Sequence, residues 1–416
     1  MSRYINRIHI NKLFHLNNLN ITIEDENTPH LLITGKNGSG KTILLNAIAE
    51  FLDNIKDDEN LSYLALGERL DAFWKGYDSS TVMSDKNAFR SAAIDTSIKF
   101  DKIFGKVIVD FDNPEEVARK YHIGDFVFAY YQAIREIKGV LKEPKSPTKP
   151  NYKKKGKIQD TSTSQFLNFL SDLKIQEALA RNAQQIDDAN EIGDWFQDFE
   201  LLLQEIFQDN NLKLEFNYRD YSFHICTGDG KKFKFTEVSD GFSAILDIVA
   251  DLILKMQEDG MLSRNYQKEG VVLIDEIETH LHLGLQKIVM PFLTKTFPNI
   301  QFIVTTHSPF VLSSMPNAVA YDLEHQKLVK NLAQYSYESL AEGYFGVTAI
   351  SSDIQHRLNI IKELLDKEDL SVSEKATLRN YLKDFDNIPE AVSPSLIGEY
   401  LQTKLKHIVK IKELMQ

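Results

Sequence analysis

The chain has 416 residues, with 60 acidic residues against 48 Lys and Arg and a formal net charge of −12. This acidic balance argues against broad, nonspecific binding of nucleic acid, because contacts to phosphates need Lys and Arg. The one cysteine, Cys226, excludes an intrachain disulfide, and the absence of an 18-residue apolar run argues against a membrane-spanning helix. We expect two or three domains and a cytoplasmic protein with no membrane partner.

The first 24 residues alternate between apolar and polar positions on both sides of the segment 11–14. This period of two predicts a pair of antiparallel strands joined as a β-hairpin. The segment lacks the continuous apolar stretch of a secretory signal, so we expect no signal peptide.

Residues 35–42 read Gly-Lys-Asn-Gly-Ser-Gly-Lys-Thr, which is the spacing G-x-x-x-x-G-K-T. An apolar segment, 30–34, precedes them and an amphipathic segment, 43–51, follows, as the strand, loop and helix of a phosphate-binding P-loop require. The glycines allow successive backbone N–H groups to turn toward phosphates, and the helix N-terminus adds partial positive charge. The alternative is a glycine-rich turn without a ligand.

The P-loop interpretation predicts a role for each position. Lys41 would reach the β- and γ-phosphates of a nucleoside triphosphate, and the hydroxyl of Thr42 would hold Mg²⁺. A nucleoside triphosphate and Mg²⁺ are therefore the expected ligands of this loop. The residues predicted to bind the nucleotide are Asn37, Gly38, Ser39, Gly40, Lys41, Thr42 and Ile43.

Three strands are expected between this loop and residue 140, at Ser97–Phe100, Lys106–Phe111 and Asp125–Tyr131. A basic segment with three prolines follows over 142–157 and includes Lys153, Lys154 and Lys155. Its composition predicts a flexible linker, and contact with nucleic acid is the alternative.

Two segments after the linker, 164–182 and 187–209, have apolar residues at helical spacing. No heptad pattern persists in them, so two short helices are expected and not a long coiled coil. Three further strands are expected at Leu212–Tyr218, Tyr221–Thr227 and Lys232–Thr236.

Residues 239–243 read Ser-Asp-Gly-Phe-Ser and precede an apolar segment with helical spacing. They predict a second helix N-terminus that carries a glycine. Ser239 and Asp240 are also good N-capping residues, so an ordinary helix cap is the alternative interpretation.

Residues 271–276 read Val-Val-Leu-Ile-Asp-Glu, in which four apolar residues precede two acids. The apolar run predicts a strand that is buried on both faces, as in a parallel sheet. Asp275 would then bind Mg²⁺ through water, and Glu276 would polarise the water that attacks the phosphate. The alternative is a buried strand that ends in two solvated carboxylates.

Another apolar strand is expected over 301–306, and it ends at His307. A side chain at the carboxyl end of a parallel strand lies at the ligand-binding edge of the sheet. His307 would therefore contact the γ-phosphate or the attacking water, although an isolated histidine of this kind is more often structural.

The last segment, 331–416, is rich in charged residues, and its apolar residues recur at helical spacing: Leu358, Ile361, Leu364 and Leu365, then Ile397, Tyr400, Leu401, Leu405 and Ile408. It has no Val/Ile-rich pattern of parallel strands and no zinc-type cluster of His and Cys. We expect a helical module for packing or oligomer formation, and a nuclease in this segment is the alternative.

In their order, the segments 35–42, 239–243, 271–276 and 301–308 resemble the motifs of the ABC-type ATPase head in the RecF, SMC and OLD group. The first resembles Walker A and the third resembles Walker B. The second resembles the signature motif, and His307 resembles the switch histidine. Residues 278–282 resemble the segment after Walker B in OLD-like ATPases, where the D-loop lies.

The resemblance implies roles beyond those that the residues themselves indicate. Two ABC-type heads enclose two ATP molecules between them, so a homodimer or higher homo-oligomer is expected, with ATP closing it and hydrolysis releasing it. Ser239 and Gly241 would bind the nucleotide of the other copy, and Ser243 of the same segment is also predicted to bind nucleotide. The catalytic residues of the same copy would be Lys41, Glu276 and His307. The metal-binding residues would be Thr42, Asp275 and Gln132, the last as a Q-loop glutamine at a strand end.

The expected fold is α/β: a P-loop ATPase head of the ABC type, in which a parallel core sheet is joined to an antiparallel β lobe. The expected divisions are 1–140 for the first lobe of the head, 141–163 for a flexible loop, 164–209 for a short helical arm, 210–330 for the second lobe and 331–416 for a helical C-terminal module.

The head, together with 336–340 and 344–347, resembles the ATPase subunits of bacterial anti-phage systems, among them Septu-type, retron-linked and PARIS ATPases. In those systems the ATPase senses infection and controls a separate nuclease or toxin, so an effector partner of this kind is expected. The competing hypothesis is a DNA-repair or chromosome-maintenance ATPase like RecF, which holds DNA across a basic dimer groove. The acidic balance of the chain counts against it.

Overall fold

The computed structural model describes residues 4–23, 30–56, 62–133, 141–142, 144, 156–257, 266–345, 352–388 and 394–415. They belong to two compact units, Met1–Tyr335 and Ser336–Gln416, which are described separately. Within the described ranges, no helix is both long and apolar enough to cross a membrane.

The strands of the first unit are β1 (Ile5–Leu13), β2 (Leu16–Thr22), β3 (His30–Thr34), β4 (Val107–Phe111), β5 (Phe126–Tyr131), β6 (Lys213–Asn217), β7 (Ser222–Cys226), β8 (Lys232–Lys234), β9 (Glu269–Ile274), β10 (Ile300–Thr305), β11 (Ala318–Asp322) and β12 (Lys327–Val329). Its α-helices are α1 (Lys41–Ile55), α2 (Leu66–Ser79), α3 (Met83–Phe104), α4 (Pro114–Ile123), α5 (Phe166–Asn182), α6 (Ile186–Phe207), α7 (Asp240–Met256), α8 (Leu283–Thr296) and α9 (Pro309–Leu312).

A six-stranded sheet in the order β12-β11-β3-β10-β9-β5 forms the core of this unit. The pairs from β11 to β5 are all parallel, and β12 is antiparallel to β11. Every residue of β3, β5 and β10 is buried, which explains why apolar residues predominate in these strands. The predicted parallel core sheet is confirmed, and it aligns the carboxyl ends of its strands along one edge.

Two small antiparallel sheets flank the core, in the orders β2-β1-β4 and β6-β7-β8. The predicted hairpin at the start of the chain is β1 and β2. The buried side chain of Gln301 ties β1 to the core sheet: its Oε1 accepts from the Ile5 N–H at 2.8 Å and its Nε2 donates to the Ile5 carbonyl at 2.9 Å. An ABC-type head with a parallel core and an antiparallel lobe is therefore the fold of this unit.

Helices α5 and α6 form the helical insert predicted between the two halves of the head. Their shared interface is aromatic: the fully buried Trp195 stacks on Phe199 with ring centroids 5.4 Å apart and meets the edge of Phe169 at 5.5 Å. Phe196 stacks on Phe223 of β7 at 6.0 Å, which attaches the insert to the sheet β6-β7-β8. Burial of large aromatic rings accounts for the stability of these two helices.

The strand predicted at Ser97–Phe100 is wrong, because these residues lie inside the 22-residue helix α3. The residues of this helix that pack inward include Ala93, Thr96, Phe100, Ile103 and Phe104, which recur at helical and not at alternating spacing. A window of four residues is too short to distinguish the two periods. The pairing of α3 with α2 was not predicted either.

Most of the predicted linker 141–163, including Lys153, Lys154 and Lys155, lies outside the described residues. Its last part is packed against the head. The side chain of Ile158 is buried, its carbonyl accepts from the Tyr130 N–H at 2.8 Å, and its N–H donates to Asp53 Oδ1 at 2.9 Å. Residues 156–163 are therefore part of the head structure and not a free loop.

The regular structure described in the second unit consists of helices: α10 (Tyr337–Phe345), α11 (Ser352–Asp366), α12 (Val372–Asp386), α13 (Pro394–Lys406) and α14 (Ile408–Met415). Helices α11 to α14 share a core that includes Leu358, Ile361, Leu382, Phe385 and Tyr400. Leu401 and Leu405, which have the spacing of core residues in the sequence, are instead 46% and 68% exposed.

The sequence Asp384-Phe385-Asp386 is an Asp-x-Asp pattern of the kind that binds metal at the end of a strand in nucleases, but here it lies in α12. Asp384 pairs with Arg357 at 3.3 Å, and Asp386 pairs with Lys404 at 2.6 Å. Both carboxylates therefore have structural partners on the helical surface.

Candidate nucleotide-binding site

The loop between β3 and α1 is shaped by three glycines with positive φ: Gly35 at 138°, Gly38 at 83° and Gly40 at 100°. Side chains would be strained in these conformations. A Cβ atom on Gly35 would lie 2.8 Å from Ser39 Oγ, whereas one on Gly38 would meet nothing within 4 Å. The loop is thus closely packed on its inner side and open at Gly38, as a cradle for a phosphate requires.

Lys41, the first residue of α1, is 5% exposed, and its ammonium lies across the loop. Its Nζ donates to the carbonyl oxygens of Gly35 at 2.8 Å and Lys36 at 3.1 Å. Burial lowers the pKa of Lys41, and the carboxylates of Glu276, Glu278 and Asp275 oppose this effect. A cation is therefore held at the helix N-terminus, beside the opening of the loop.

Contacts from two neighbouring turns hold the loop in this shape. His15, in the turn between β1 and β2, has its Nε2 3.1 Å from the Ser39 carbonyl oxygen. On the other side, Lys36 forms an ion pair of 2.7 Å with Glu324, which follows β11. Sequence inspection alone did not identify either partner.

Asp275 and Glu276 follow β9 directly, and the hydroxyl of Thr305 joins them. Thr305 Oγ1 donates to Asp275 Oδ1 at 2.5 Å and accepts from the Glu276 N–H at 2.8 Å. Glu276 has a φ of 45°, a left-handed conformation that costs a side-chain-bearing residue about 1–3 kcal/mol when the surroundings impose it. Asp275 is 1% exposed, so the two acids have different surroundings although they are adjacent.

His307 follows β10 and lies on the same edge of the sheet. Its backbone N–H donates to Glu278 Oε1 at 2.5 Å, and Thr306 Oγ1 donates to Glu278 Oε2 at 2.7 Å. Partial burial lowers the pKa of His307, and the positive charge of Lys41 lowers it further. Both effects favour the neutral imidazole over the imidazolium, whereas the carboxylates of Glu276 and Asp275 oppose them. A neutral imidazole can accept a hydrogen bond.

Gln132 directly follows β5, the strand next to β9. The preceding residue, Tyr131, accepts a 2.8 Å hydrogen bond from the Asp275 N–H through its carbonyl oxygen. The side chain of Gln132 is exposed and lies 3.5 Å from that of Gln159. The predicted role of Gln132 as a metal ligand stays a prediction.

The segment 239–243, which resembles a signature motif, lies at the start of α7. Its described contacts are with residues outside the P-loop. A Cβ on Gly241 would lie 3.0 Å from the His280 carbonyl oxygen, and the ring of Phe242 stacks on Phe207 at 4.3 Å. Ser239 is exposed at the N-cap position, and its side chain makes no capping hydrogen bond. The hydroxyl of Ser239 therefore does not act as an ordinary helix cap, which was the alternative interpretation.

The groups at the sheet edge fit a nucleoside triphosphate with Mg²⁺. The buried Lys41 ammonium supplies positive charge, and Ser39 Oγ is buried without a hydrogen-bond partner among the described residues. Thr42 is exposed at the start of α1, and Asp275 is a carboxylate of the kind that binds Mg²⁺. Asn37 is exposed, whereas Ile43 is half-buried against the core, so a contact of Ile43 with the nucleotide would involve its backbone.

A protein-family model described as "AAA domain, putative AbiEii toxin, Type IV TA system" matches residues 73–313, more than half of the chain. The chain belongs to this AAA-domain family. The matched range includes the segments 239–243, 271–276 and 301–308, and the P-loop precedes it.

Curated relatives of this AAA-domain chain include the Septu protein PtuA of Bacillus mycoides (strain KBAB4), which is 23% identical over 404 residues, covering 94% of this chain and 50% of the relative. The Retron Vc95 probable ATPase of Vibrio cholerae serotype O1 biovar El Tor is 25% identical over 361 residues, covering 71% of this chain and 69% of that protein. The predicted resemblance to Septu-type and retron-linked ATPases is confirmed. The chain spans half the length of the Septu relative.

Solved structures with partial similarity to this AAA-domain chain include an SMC head bound to the C-winged helix domain of ScpA. Its TM-score is 0.37 and its identity 14%, and the alignment covers 77% of this chain and 93% of that one. The SMC head domain from Thermotoga maritima has a TM-score of 0.33 at 12% identity, with 77% and 94% covered. The fold assignment therefore rests on the sheet order and on the positions of the motifs.

The electrostatic arrangement predicts that Lys41→Met raises the pKa of His307, because the nearby cation disfavours the imidazolium. Burial remains, so the pKa stays below the ordinary value of a histidine. An NMR titration of the His307 ring, assigned with a His307→Gln variant, measures this. Lys36→Met is the matched control, since the charge of Lys36 is paired with Glu324 at the loop surface. An equal rise in both variants would contradict the assignment of the effect to Lys41.

Proposed function

We propose that this chain is an ATPase of bacterial anti-phage defence that closes head to head around ATP and regulates a separate nuclease or toxin. The observation that carries the ATPase part is the meeting of Lys41, Asp275, Glu276 and His307 at one edge of a parallel sheet. The Septu and retron relatives support the defence part.

Each of the residues at this edge would have a separate role in phosphate hydrolysis. The loop glycines and Lys41 would bind the β- and γ-phosphates, and Thr42 with Asp275 would hold Mg²⁺, which supplies positive charge to the terminal phosphate when bound. Glu276 would orient the attacking water and accept its proton. His307, whose neutral form is favoured by partial burial and by Lys41, would donate to or accept from the groups around the terminal phosphate.

We expect the purified chain to hydrolyse ATP, and we expect turnover to fall strongly when Glu276 is replaced. Glu276→Gln should retain ATP binding and lose turnover by roughly 10²–10⁴-fold, or about 3–5 kcal/mol, because the amide cannot accept the proton. Lys41→Ala should lose ATP binding, since it removes the charge that faces the phosphates. Phosphate release and calorimetric binding of ATP measure the two effects. Wild-type turnover in Glu276→Gln would exclude the proposed role of Glu276.

Dimer closure is supported by the surroundings of the signature segment. Ser239 is exposed, and its hydroxyl does not cap α7. The segment 239–243 packs on residues 280–285 of the same chain. A nucleotide in the P-loop of a second copy would give this hydroxyl a partner. The two composite sites would then be identical, as in an isologous interface.

With Glu276→Gln, ATP and Mg²⁺, we expect a stable dimer in sedimentation experiments. Adding Ser239→Arg to that variant should prevent the dimer and leave ATP binding intact, because the change affects the site of the other copy. Ser91→Arg introduces the same side chain at an exposed position of α3 and should leave the dimer unaffected. Loss of ATP binding in Ser239→Arg would contradict a role in trans.

The effector part of the proposal concerns the second unit, where α13 and α14 expose a row of apolar side chains: Leu401, Leu405, Ile408 and Val409. Leu405→Glu should weaken co-purification with an effector encoded by an adjacent gene and leave ATP hydrolysis unchanged. Val372→Glu, at a residue 87% exposed in the same unit, is the matched control. If both variants retain the effector equally, the effector does not bind at the apolar side chains of α13 and α14.

A further inference from the structure

Glu278 is a partly buried carboxylate that no step of the proposed hydrolysis uses. Both of its oxygens accept hydrogen bonds from the segment after β10. Oε1 accepts from the His307 backbone N–H at 2.5 Å, and Oε2 accepts from Thr306 Oγ1 at 2.7 Å. A carboxylate occupied in this way is bound to protein groups on both oxygens and is not placed to act on water.

The same segment is joined to the acids at the end of β9 by a second set of contacts. Thr305 Oγ1 bonds to Asp275 and to the Glu276 N–H, and the Ile277 N–H donates to the Thr305 carbonyl oxygen at 3.3 Å. Thr279 Oγ1 in turn lies 3.3 Å from Glu276 Oε2. These hydrogen bonds therefore hold residues 275–279 and residues 305–307 side by side.

Among these hydrogen bonds, the one to Glu278 comes from the backbone N–H of His307. The Thr305 bonds hold the end of β10, but His307 lies two residues further on, outside the strand. Its backbone N–H has a charged acceptor in Glu278, and hydrogen bonds to ionised groups are shorter and stronger than neutral ones. Burial raises the pKa of Glu278, whereas the two hydrogen bonds favour its ionised form.

We propose that Glu278 is a positioning residue, which fixes the backbone at Thr306 and His307 and so places the His307 imidazole beside the terminal phosphate. This inference rests on the proposed ATPase function. A carboxylate can accept from both donors at once. A Gln side chain has only one oxygen, so one donor would face an NH₂ group.

The test compares turnover with nucleotide affinity in purified full-length variants. Glu278→Gln should lower kcat by roughly 10- to 100-fold, because the charged acceptor of His307 is lost, and leave the affinity for AMP-PNP with Mg²⁺ within about threefold. Thr306→Val should lower kcat less, and Thr306→Ser, which keeps the hydroxyl, should restore it. The Thr306 pair decides the matter if Glu278→Gln does not fold.

A double substitution separates positioning of His307 from an independent role. In a His307→Ala background, Glu278→Gln should cause no further loss of kcat, because there is no imidazole left to place. A full additional loss would overturn the inference, and so would wild-type kcat in Glu278→Gln.

A readout without nucleotide distinguishes failure of this inference from failure of the ATPase proposal. In the nucleotide-free protein, the NMR resonances of the His307 ring should shift in Glu278→Gln and in Thr306→Val, and not in Thr306→Ser. Unchanged resonances in all three variants would overturn the positioning role. A wild-type protein without ATP hydrolysis would instead refute the proposed function, whatever the resonances show.

Discussion

The parallel register of β3, β10, β9 and β5 is the constraint on which the rest of the site depends. Thr305 lies opposite Ile33, Val304 opposite Ile274, and Ile274 opposite Tyr131. The four strands therefore end at the same edge of the sheet. The residues that follow these ends are the P-loop, the two acids, His307 and Gln132. A shift of one residue in any pair would move the residues after one strand end by about 3.3 Å relative to those after its neighbour.

This geometry places several ionisable groups where burial disfavours their charge. Lys41 and Asp275 are 5% and 1% exposed, and burial shifts the pKa of Lys41 downward and that of Glu278 upward. Their hydrogen bonds to Gly35, Thr305 and the segment after β10 offset part of that cost. A ligand that brings negative charge to Lys41 would stabilise the folded state further, in proportion to its occupancy.

The sequence was sufficient for features that depend on neighbouring residues. The P-loop, the apolar strands that end in Asp275 and His307, and the helix after Ser239 are all local patterns, and the structure contains each of them. The strand wrongly predicted at Ser97–Phe100 came from four residues, too few to separate alternation from the helical spacing of α3. The exposure of Leu405 shows that periodicity identifies an apolar face without saying what covers it.

The contacts that shape the site join residues far apart in the chain, and single-sequence patterns do not contain them. Glu278 meets Thr306 across 28 positions, Thr305 meets Asp275 across 30, and His15 meets Ser39 across 24. The first two depend on β9 and β10 being adjacent in the sheet and on their register, and the third depends on the packing of the turn between β1 and β2 against the P-loop. Only the order of the strands, β3-β10-β9-β5, reveals why these particular polar residues are needed.

The most direct test of the central claim is a crystal structure of the Glu276→Gln variant with ATP and Mg²⁺. We expect the triphosphate in the loop 35–42, with Lys41 Nζ on the β- and γ-phosphates and Mg²⁺ between Thr42 and Asp275. The amide side chain introduced by the substitution and the imidazole of His307 should both lie beside the γ-phosphate. A nucleotide bound elsewhere, or a γ-phosphate that contacts neither Lys41 nor the residues that end β9 and β10, would contradict the account.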